Sequence, residues 1–350
     1  VFEKNHLVFE KNQSVTRDYP STQRLLILGC GDVGLRLIRW LRQRHRHDRL
    51  QIIATARRAE QAAAIRHAGA MPMLIDLDDP KSVKRLAAIA SWVIVLAPPS
   101  ERSAHQDLRS KLLIAQLRSQ SSDAKLIYVS TTGVFGDSQG AWIDECFYPR
   151  PSQARSLRRL SAEQQWLAAT TGVFGDSQGA WIDECFYPRP SQARSLRRLS
   201  AEQQWLAACH ALRLRVPGIY AEDRLPLERI RQGKPCMRAS EDSYSNHIHA
   251  DDLAMILWLC LFRSQPARLY ATVDNEPLQM GEWFDHLAKL YNLPAVPRVS
   301  AEAVKQAVSP MMWSFMQESR RIHNDRMLKE LKPRLKAPNA RGFLEQLIGT

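Results

Sequence analysis

A short apolar run, Leu25–Leu28, leads without interruption into Gly29-Cys30-Gly31-Asp32-Val33-Gly34, and apolar Leu37, Ile38 and Leu41 follow at helical spacing. A strand that passes through a glycine turn into an amphipathic helix leaves few folds open. The first glycine permits the tight turn, the second lets a bound group approach the backbone, and the third allows helix and strand to pack closely. The helix amino terminus then presents unpaired N–H groups and the positive end of its dipole, a setting suited to the phosphates of a dinucleotide. Cys30 reads as a small filler within this turn.

The same alternation continues downstream. Candidate strands are 25–28, 51–55, 71–75, 92–97, 126–130, 212–217 and 269–273, with helical patterns at 33–44, 59–68, 81–90, 104–119 and 152–169 and again at 191–208. Strands that alternate with helices predict βαβ units, hence an α/β, Rossmann-type doubly wound parallel sheet. Val93-Ile94-Val95-Leu96 has the unbroken apolar character of a strand buried on both faces. Residues 1–23 read as a flexible leader and 24–218 as the dinucleotide-binding domain. Residues 219–350 read as a small, mostly helical substrate-side domain, with 246–273 returning to the sheet.

Two internal repeats cut across this plan. Val1–Asn5 recurs as Val8–Asn12, and Thr131–Ala169 recurs unchanged as Thr170–Ala208. A solenoid needs about three or more stacked units, so two identical copies read as a duplication inserted into a fold that requires one. Copy one continues directly from the fifth strand, and copy two leads directly into the strand at Leu212. The remaining segment is expected to form an extra loop and helix.

At the end of the second strand stand Arg57 and Arg58, where an acid would hold a ribose 2′-hydroxyl. A guanidinium instead suits a 2′-phosphate through forked, charge-assisted bonds. The expected cofactor is therefore NADP, with NAD the weaker candidate. Further motifs are Asp76-Leu77-Asp78, Leu96-Ala97-Pro98, Tyr128–Gly136, Arg215–Tyr220 with Pro217 inside it, and Asn246–Ala254.

With these motifs the chain, over residues 24–350, resembles the short-chain dehydrogenase/reductase superfamily in its extended or atypical NAD(P)-dependent epimerase/dehydratase branch. The resemblance implies that Asp76 and Leu77 border the adenine and that Leu96, Ala97, Pro98 and Pro217 line the cofactor. It places Thr131 at the family's catalytic Ser/Thr position. The family's Tyr-x-x-x-Lys dyad is missing: Arg155 and Arg159 stand at its two positions in copy one, Arg194 and Arg198 in copy two. No lysine occurs between Leu126 and Gly233, so no shift of register within that segment restores the pair. Arginine cannot serve as a proton donor near neutral pH. Tyr148, with its copy Tyr187, is the alternative source of a phenol, against a packing role in its loop. The residues leave two functions open: an oxidoreductase or epimerase-like enzyme acting on a small substrate, anionic or nucleotide-linked substrates included, and an inactive NADP-holding sensor or partner-binding module.

Charge and composition narrow the partners. A formal charge of +13 is compatible with nucleic acid, but the arginines at 36, 39, 42, 44, 46 and 49 read as the solvated face of a helix and no nucleic-acid motif accompanies them. No apolar run reaches the roughly 20 residues that span a bilayer, so no membrane partner is expected. The amino terminus carries no secretory pattern, and the six cysteines lack paired metal spacing. A cytoplasmic chain with reduced thiols is the expectation. His247 and His249, before Asp251 and Asp252, read as a strand-to-helix junction whose helix is capped by an aspartate, and no metal is expected. A homo-oligomer is compatible with the sequence.

Overall fold

The computed structural model describes residues 23–44, 50–103, 106–117, 125–132, 142–143, 193–319 and 321–348. The leader, Cys146, Cys185, Tyr148, Tyr187, Arg155, Arg159 and the helical pattern 152–169 lie outside the described residues.

The strands used below are β1 Gln23–Leu28, β2 Leu50–Ala56, β3 Met71–Leu74, β4 Trp92–Val95, β5 Lys125–Thr131, β6 Leu212–Val216, β7 Gly218–Tyr220, β8 His247–His249 and β9 Leu269–Ala271. The helices are α1 Asp32–Arg44, α2 Ala59–His67, α3 Leu108–Leu117, α4 Ala193–Cys209, α5 Ala250–Arg263, α6 Met280–Leu290, α7 Ala301–Ala307, α8 Pro310–Met316, α9 Asp325–Leu331 and α10 Ala340–Ile348. Seven strands form one sheet in the order β9-β6-β5-β4-β1-β2-β3, with every pair parallel. Each of the seven apolar runs read from the sequence supplies one strand of it. β7 and β8 pair with each other, also in parallel, beyond the sheet.

Both faces of the sheet are covered, and this is why the strands read as continuous apolar runs. Leu25 and Ile27 of β1 pack with Leu37 and Leu41 of α1 and with Leu253 and Leu257 of α5. Leu26 and Leu28 point to the other side, toward Leu113 and Leu117 of α3 and Ala201 and Trp205 of α4. A third cluster joins α6, α7, α8 and α10 through Phe284, Leu287, Val304, Met316 and Phe343. It forms the wall opposite the carboxyl ends of the strands.

The helix pattern at 81–90 shortens on inspection to one turn, Pro80–Val83, and a 3-10 turn, Lys84–Leu86. Asp79 caps it by accepting the N–H groups of Lys81 and Ser82. The end follows from Ala88, whose backbone turns left-handed at φ 54° and redirects the chain into β4.

Two arginines of α1 depart from the solvated face expected of them. Arg36 pairs with Asp32 at 3.1 Å, with Asp251 at 3.2 Å and with Asp223. Arg42 donates to the carbonyl oxygens of Gly69 at 2.8 Å and Leu50 at 3.4 Å. The cap of α5 is likewise His249, whose Nδ1 accepts the N–H of Asp251, rather than an aspartate. Asp251 instead carries ion pairs to Arg36 and, at 3.3 Å, to Lys336.

The duplication resolves into a division of labour. Copy one provides Thr131 at the end of β5 and the pair Trp142–Ile143, which runs parallel to Arg321–Ile322, with Trp142 stacked on His323. Copy two provides α4. Its Trp205 is fully buried, stacks on Tyr128 and donates Nε1–H to Ser110 Oγ at 2.8 Å. Its Glu202 forms a buried pair with Arg215 at 2.9 Å.

Candidate functional site

Gly29 sits where only glycine fits. Its φ is +80°, and a Cβ there would lie 2.6 Å from Ala97 Cα. Its N–H donates to Thr55 Oγ1 at 2.9 Å, which fixes the turn to the end of β2. Around Gly31 a Cβ would meet nothing within 4 Å, so the backbone there faces open space. Gly34 lies against the Cys30 sulfur at 2.9 Å from a built Cβ, and against Leu96. The three glycines thus divide into turn, open approach and close packing. Burial pushes the Cys30 thiol up to about 12, so it is an unreactive filler.

Gly29 and Gly31 open onto a cleft of about 750 Å³ over the carboxyl ends of β1, β2 and β4, with Arg57, Asp76, Leu77 and Pro98 also on its wall. Arg58 stands exposed at the amino end of α2, outside that lining. Val33 is partly buried against the core. Leu96 and Ala97 both donate their N–H groups to the Leu28 carbonyl, at 2.8 and 3.0 Å. That shared acceptor ends β4 at Val95, two residues earlier than the sequence pattern, and swings Ala97 and Pro98 over the cleft.

Two residues that the sequence did not single out complete this cleft, and a third, Arg224, ties the amino end of α1 to the neighbouring cavity. Gln61 Nε2 donates to the Cys30 carbonyl at 2.8 Å, and its Oε1 accepts the Arg57 N–H at 3.0 Å, which binds the glycine turn to the end of β2. Arg109 grips Asp78 with Nε and Nη2, at 2.9 and 2.6 Å, and also reaches the Pro98 carbonyl. The Arg109 hydrogen bonds hold the Asp78 carboxyl below its ordinary pKa, despite partial burial. Arg224 reaches across from the segment after β7 to Asp32 at 2.5 Å. Burial works against ionisation of Asp32, but the bonds and charges of Arg224 and Arg36 outweigh it and lower its pKa. An acid at the amino end of α1 is therefore charge-compensated from two sides.

A second cavity of about 630 Å³ adjoins the first and shares Pro98, Pro99 and Glu101 with it. Thr131, Arg198 and Pro217 lie on its wall. Arg198 Nη1 donates to the Val129 carbonyl at 2.9 Å. Arg194 falls in the first turn of α4. His247 is also on the wall, 7% exposed, and burial lowers its pKa to about 4, so its ring is neutral. Among the described residues no group of three His, Cys, Asp or Glu side chains gathers as a metal site. None of the described helices is long and apolar enough to cross a membrane.

No protein-family model matches the sequence, and no curated protein sequence does. Solved structures do. A conserved protein of unknown function from Silicibacter pomeroyi superposes with TM-score 0.68 at 27% identity, covering 94% of this chain and 99% of that one. The dTDP-glucose 4,6-dehydratase of Bacillus anthracis, solved with NAD, gives TM-score 0.62 at 12% identity over 93% and 96% of the two chains. The human epimerase family protein SDR39U1, solved with NADPH, gives 0.60 at 14% over 94% and 100%. This chain shares its fold with that dehydratase and that epimerase family protein.

Proposed function

We propose that this chain is an NADP-binding oxidoreductase or epimerase-like protein of the atypical short-chain dehydrogenase/reductase type, acting on a small substrate in the cavity beside Thr131. The observation that carries the reading is the glycine cradle: a turn that admits no side chain at Gly29 and open space at Gly31, on one cleft wall with Arg57. The Gly31 backbone and the amino end of α1 would receive the pyrophosphate. Arg57 would take the 2′-phosphate, and Asp76 with Leu77 would flank the adenine. When bound, the nicotinamide supplies hydride transfer.

The chain's own residues would position the substrate more readily than they would move a proton. Thr131 can orient a substrate oxygen through its hydroxyl. Arg198 holds the family's lysine position and anchors to the end of β5, but it cannot exchange a proton at neutral pH. General acid–base assistance contributes about 10²–10⁴-fold, so slow carbonyl reduction despite firm cofactor binding is expected. The anchored Arg198 also favours a second reading, an NADP-holding sensor without turnover.

Calorimetric titration tests the cofactor. NADPH should bind about tenfold to a hundredfold more tightly than NADH, as a charge-assisted bond of about 1.5–3 kcal/mol predicts. Arg57→Ala should abolish that preference and Arg58→Ala should leave it. Equal affinities in the unmodified protein would refute the NADP assignment.

A further inference from the structure

The cavity beside Thr131 differs chemically from the cofactor cleft. Its far wall is built by α6 and α8, which present Met280, Trp283, Phe284, Met312 and Phe315. Tyr220 and His247 face them, and these rings already hold one another. Tyr220 meets Trp283 edge-on with centroids 5.7 Å apart, and His247 lies 5.0 Å from Trp283. Trp283 and Phe284 are otherwise buried, at 5% and 6% exposure. Rings fixed by mutual contact form a preorganised apolar slot, and thioethers beside them add favourable sulfur–aromatic contacts to any ring that enters.

The opposite side is basic. Arg197 and Arg198 of α4 and Arg224 lie on the same lining. Arg224 is paired to Asp32 and Arg198 gives one N–H to Val129. A guanidinium has five N–H donors, so Arg198, which also stands beside the Tyr128 hydroxyl, keeps donors for a ligand. Arg197 adjoins it on the helix. Glu101 and Glu318 also line the cavity. Their carboxylates repel an anion and so confine it to the α4 side. A sugar nucleotide calls for many directed hydrogen bonds around its hydroxyl groups. The wall of rings and thioethers supplies few of them, and the remaining polar side chains of the lining are Thr131, Thr132, Tyr244, Ser245 and Asn246.

We infer that this cavity recognises an aromatic carboxylate, with its ring packed between the exposed Phe315 and the contacting Trp283–Tyr220 pair and its carboxylate on Arg197 and Arg198. The volume of about 630 Å³ lies within the range that encloses such a molecule. Selectivity arises at both ends. The ring contributes apolar burial and stacking, and the planar guanidinium matches a carboxylate in two-point contact. The inference rests on the reading of this cavity as the substrate site, but it concerns the ligand class alone.

Binding of phenylpropanoate, propanoate, the neutral amide phenylpropanamide and UDP-glucose to the full chain, measured by calorimetry with and without NADPH, tests it. Phenylpropanoate should bind about tenfold or more tightly than either propanoate or the amide, and more tightly than UDP-glucose. Phe315→Ser, at a half-exposed ring, should weaken phenylpropanoate and leave propanoate unchanged. The double variant Arg197→Gln, Arg198→Gln should erase the preference for acid over amide. A thermal melt of each variant reports whether it is folded. Tighter binding of UDP-glucose, equal binding of phenylpropanoate and propanoate, or no binding by a chain that binds NADPH would overturn the inference and leave the cofactor reading standing. The expected ring and charge dependence in a chain that fails to bind NADPH would uphold the inference and overturn the cofactor reading.

Discussion

Removing either copy of the duplicated segment yields one and the same shorter sequence, and this deletion should stabilise the protein. The described part of copy one ends at Ile143, and α4 begins at Ala193 in copy two. Residues 144–192 join these two anchored points, and the deletion reduces that connection to roughly one fifth of its length. Closing a connection costs about (3/2)RT ln n, so a fivefold shortening recovers about 1.4 kcal/mol. With about 2.1 cal/mol/K of unfolding entropy per residue, a chain of more than 300 residues shifts by about 1.5 °C per kcal/mol, so the midpoint should rise by about 2 °C. Every described contact survives the change, because Thr131, Trp142, Glu202 and Trp205 all keep a counterpart in the single-copy chain. Differential scanning calorimetry of the two chains, with NADPH titration as a check on the cleft, makes the comparison. A single-copy chain that fails to fold or melts lower would show that residues 144–192 contribute to the core, and would refute the assignment of α4 as the complete crossover.

The identical copies also allow a paired test. Trp205→Ala removes a fully buried ring and the hydrogen-bonded route from Trp205 through Ser110 and Asp107 to the Ser100 N–H, and should cost about 3–5 kcal/mol in the single-copy chain. Trp166→Ala in the duplicated chain should leave its melting temperature unchanged, and an equal loss there would contradict the assignment. The pH dependence should carry the signature of His247. Burial lowers its pKa to about 4 in the folded chain, against about 6.5 when unfolded. The unfolded state therefore binds the extra proton between those values, so this stabilisation is complete above about pH 6.5 and is lost as the pH falls toward 4, by up to about 3 kcal/mol. Urea midpoints measured across that window should fall more steeply for the unmodified protein than for His247→Leu, and parallel curves would remove His247 from the account.

How much of this was legible beforehand follows from the range of the interactions. The seven strands could be read because each is buried on both faces, and a local apolar run records that directly, as Leu25–Leu28 does. The glycine turn could be read because its three roles fall within six residues. The compensation of Asp32 by Arg224 and the clasp of Asp78 by Arg109 could not, since each joins residues far apart in sequence by side-chain reach alone. Gln61 offered no signal beyond its position one turn into α2. The aromatic slot gathers Tyr220, His247, Trp283 and Phe315 from four separate elements, and only the density of rings between Trp283 and Phe315 hinted at it. The sequence pattern extends the helix over 81–90 because alanines and leucine favour helix locally, whereas the entry into β4 imposes a left-handed turn at Ala88.

Several of the basic residues have structural partners, and this bears on the site. Arg36, Arg109, Arg215 and Arg224 are each bound to a carboxylate, and Arg42 to two backbone carbonyls. A nucleic-acid surface needs the reverse, arginines directed outward along one face. Among the described residues no carboxylate or carbonyl takes a side-chain hydrogen bond from Arg57 or Arg197, and these two stand on the two cavities. On the readings proposed above, Arg57 would meet a ribose phosphate and Arg197 a substrate anion. The fold neutralises Asp32 beside the glycine turn with Arg36 and Arg224 and leaves Arg57 and Arg197 on the cavity walls. On the two proposed readings, recognition of anions in both cavities would follow from which guanidiniums the packing has left for a ligand, and it would not require the chain to be basic overall.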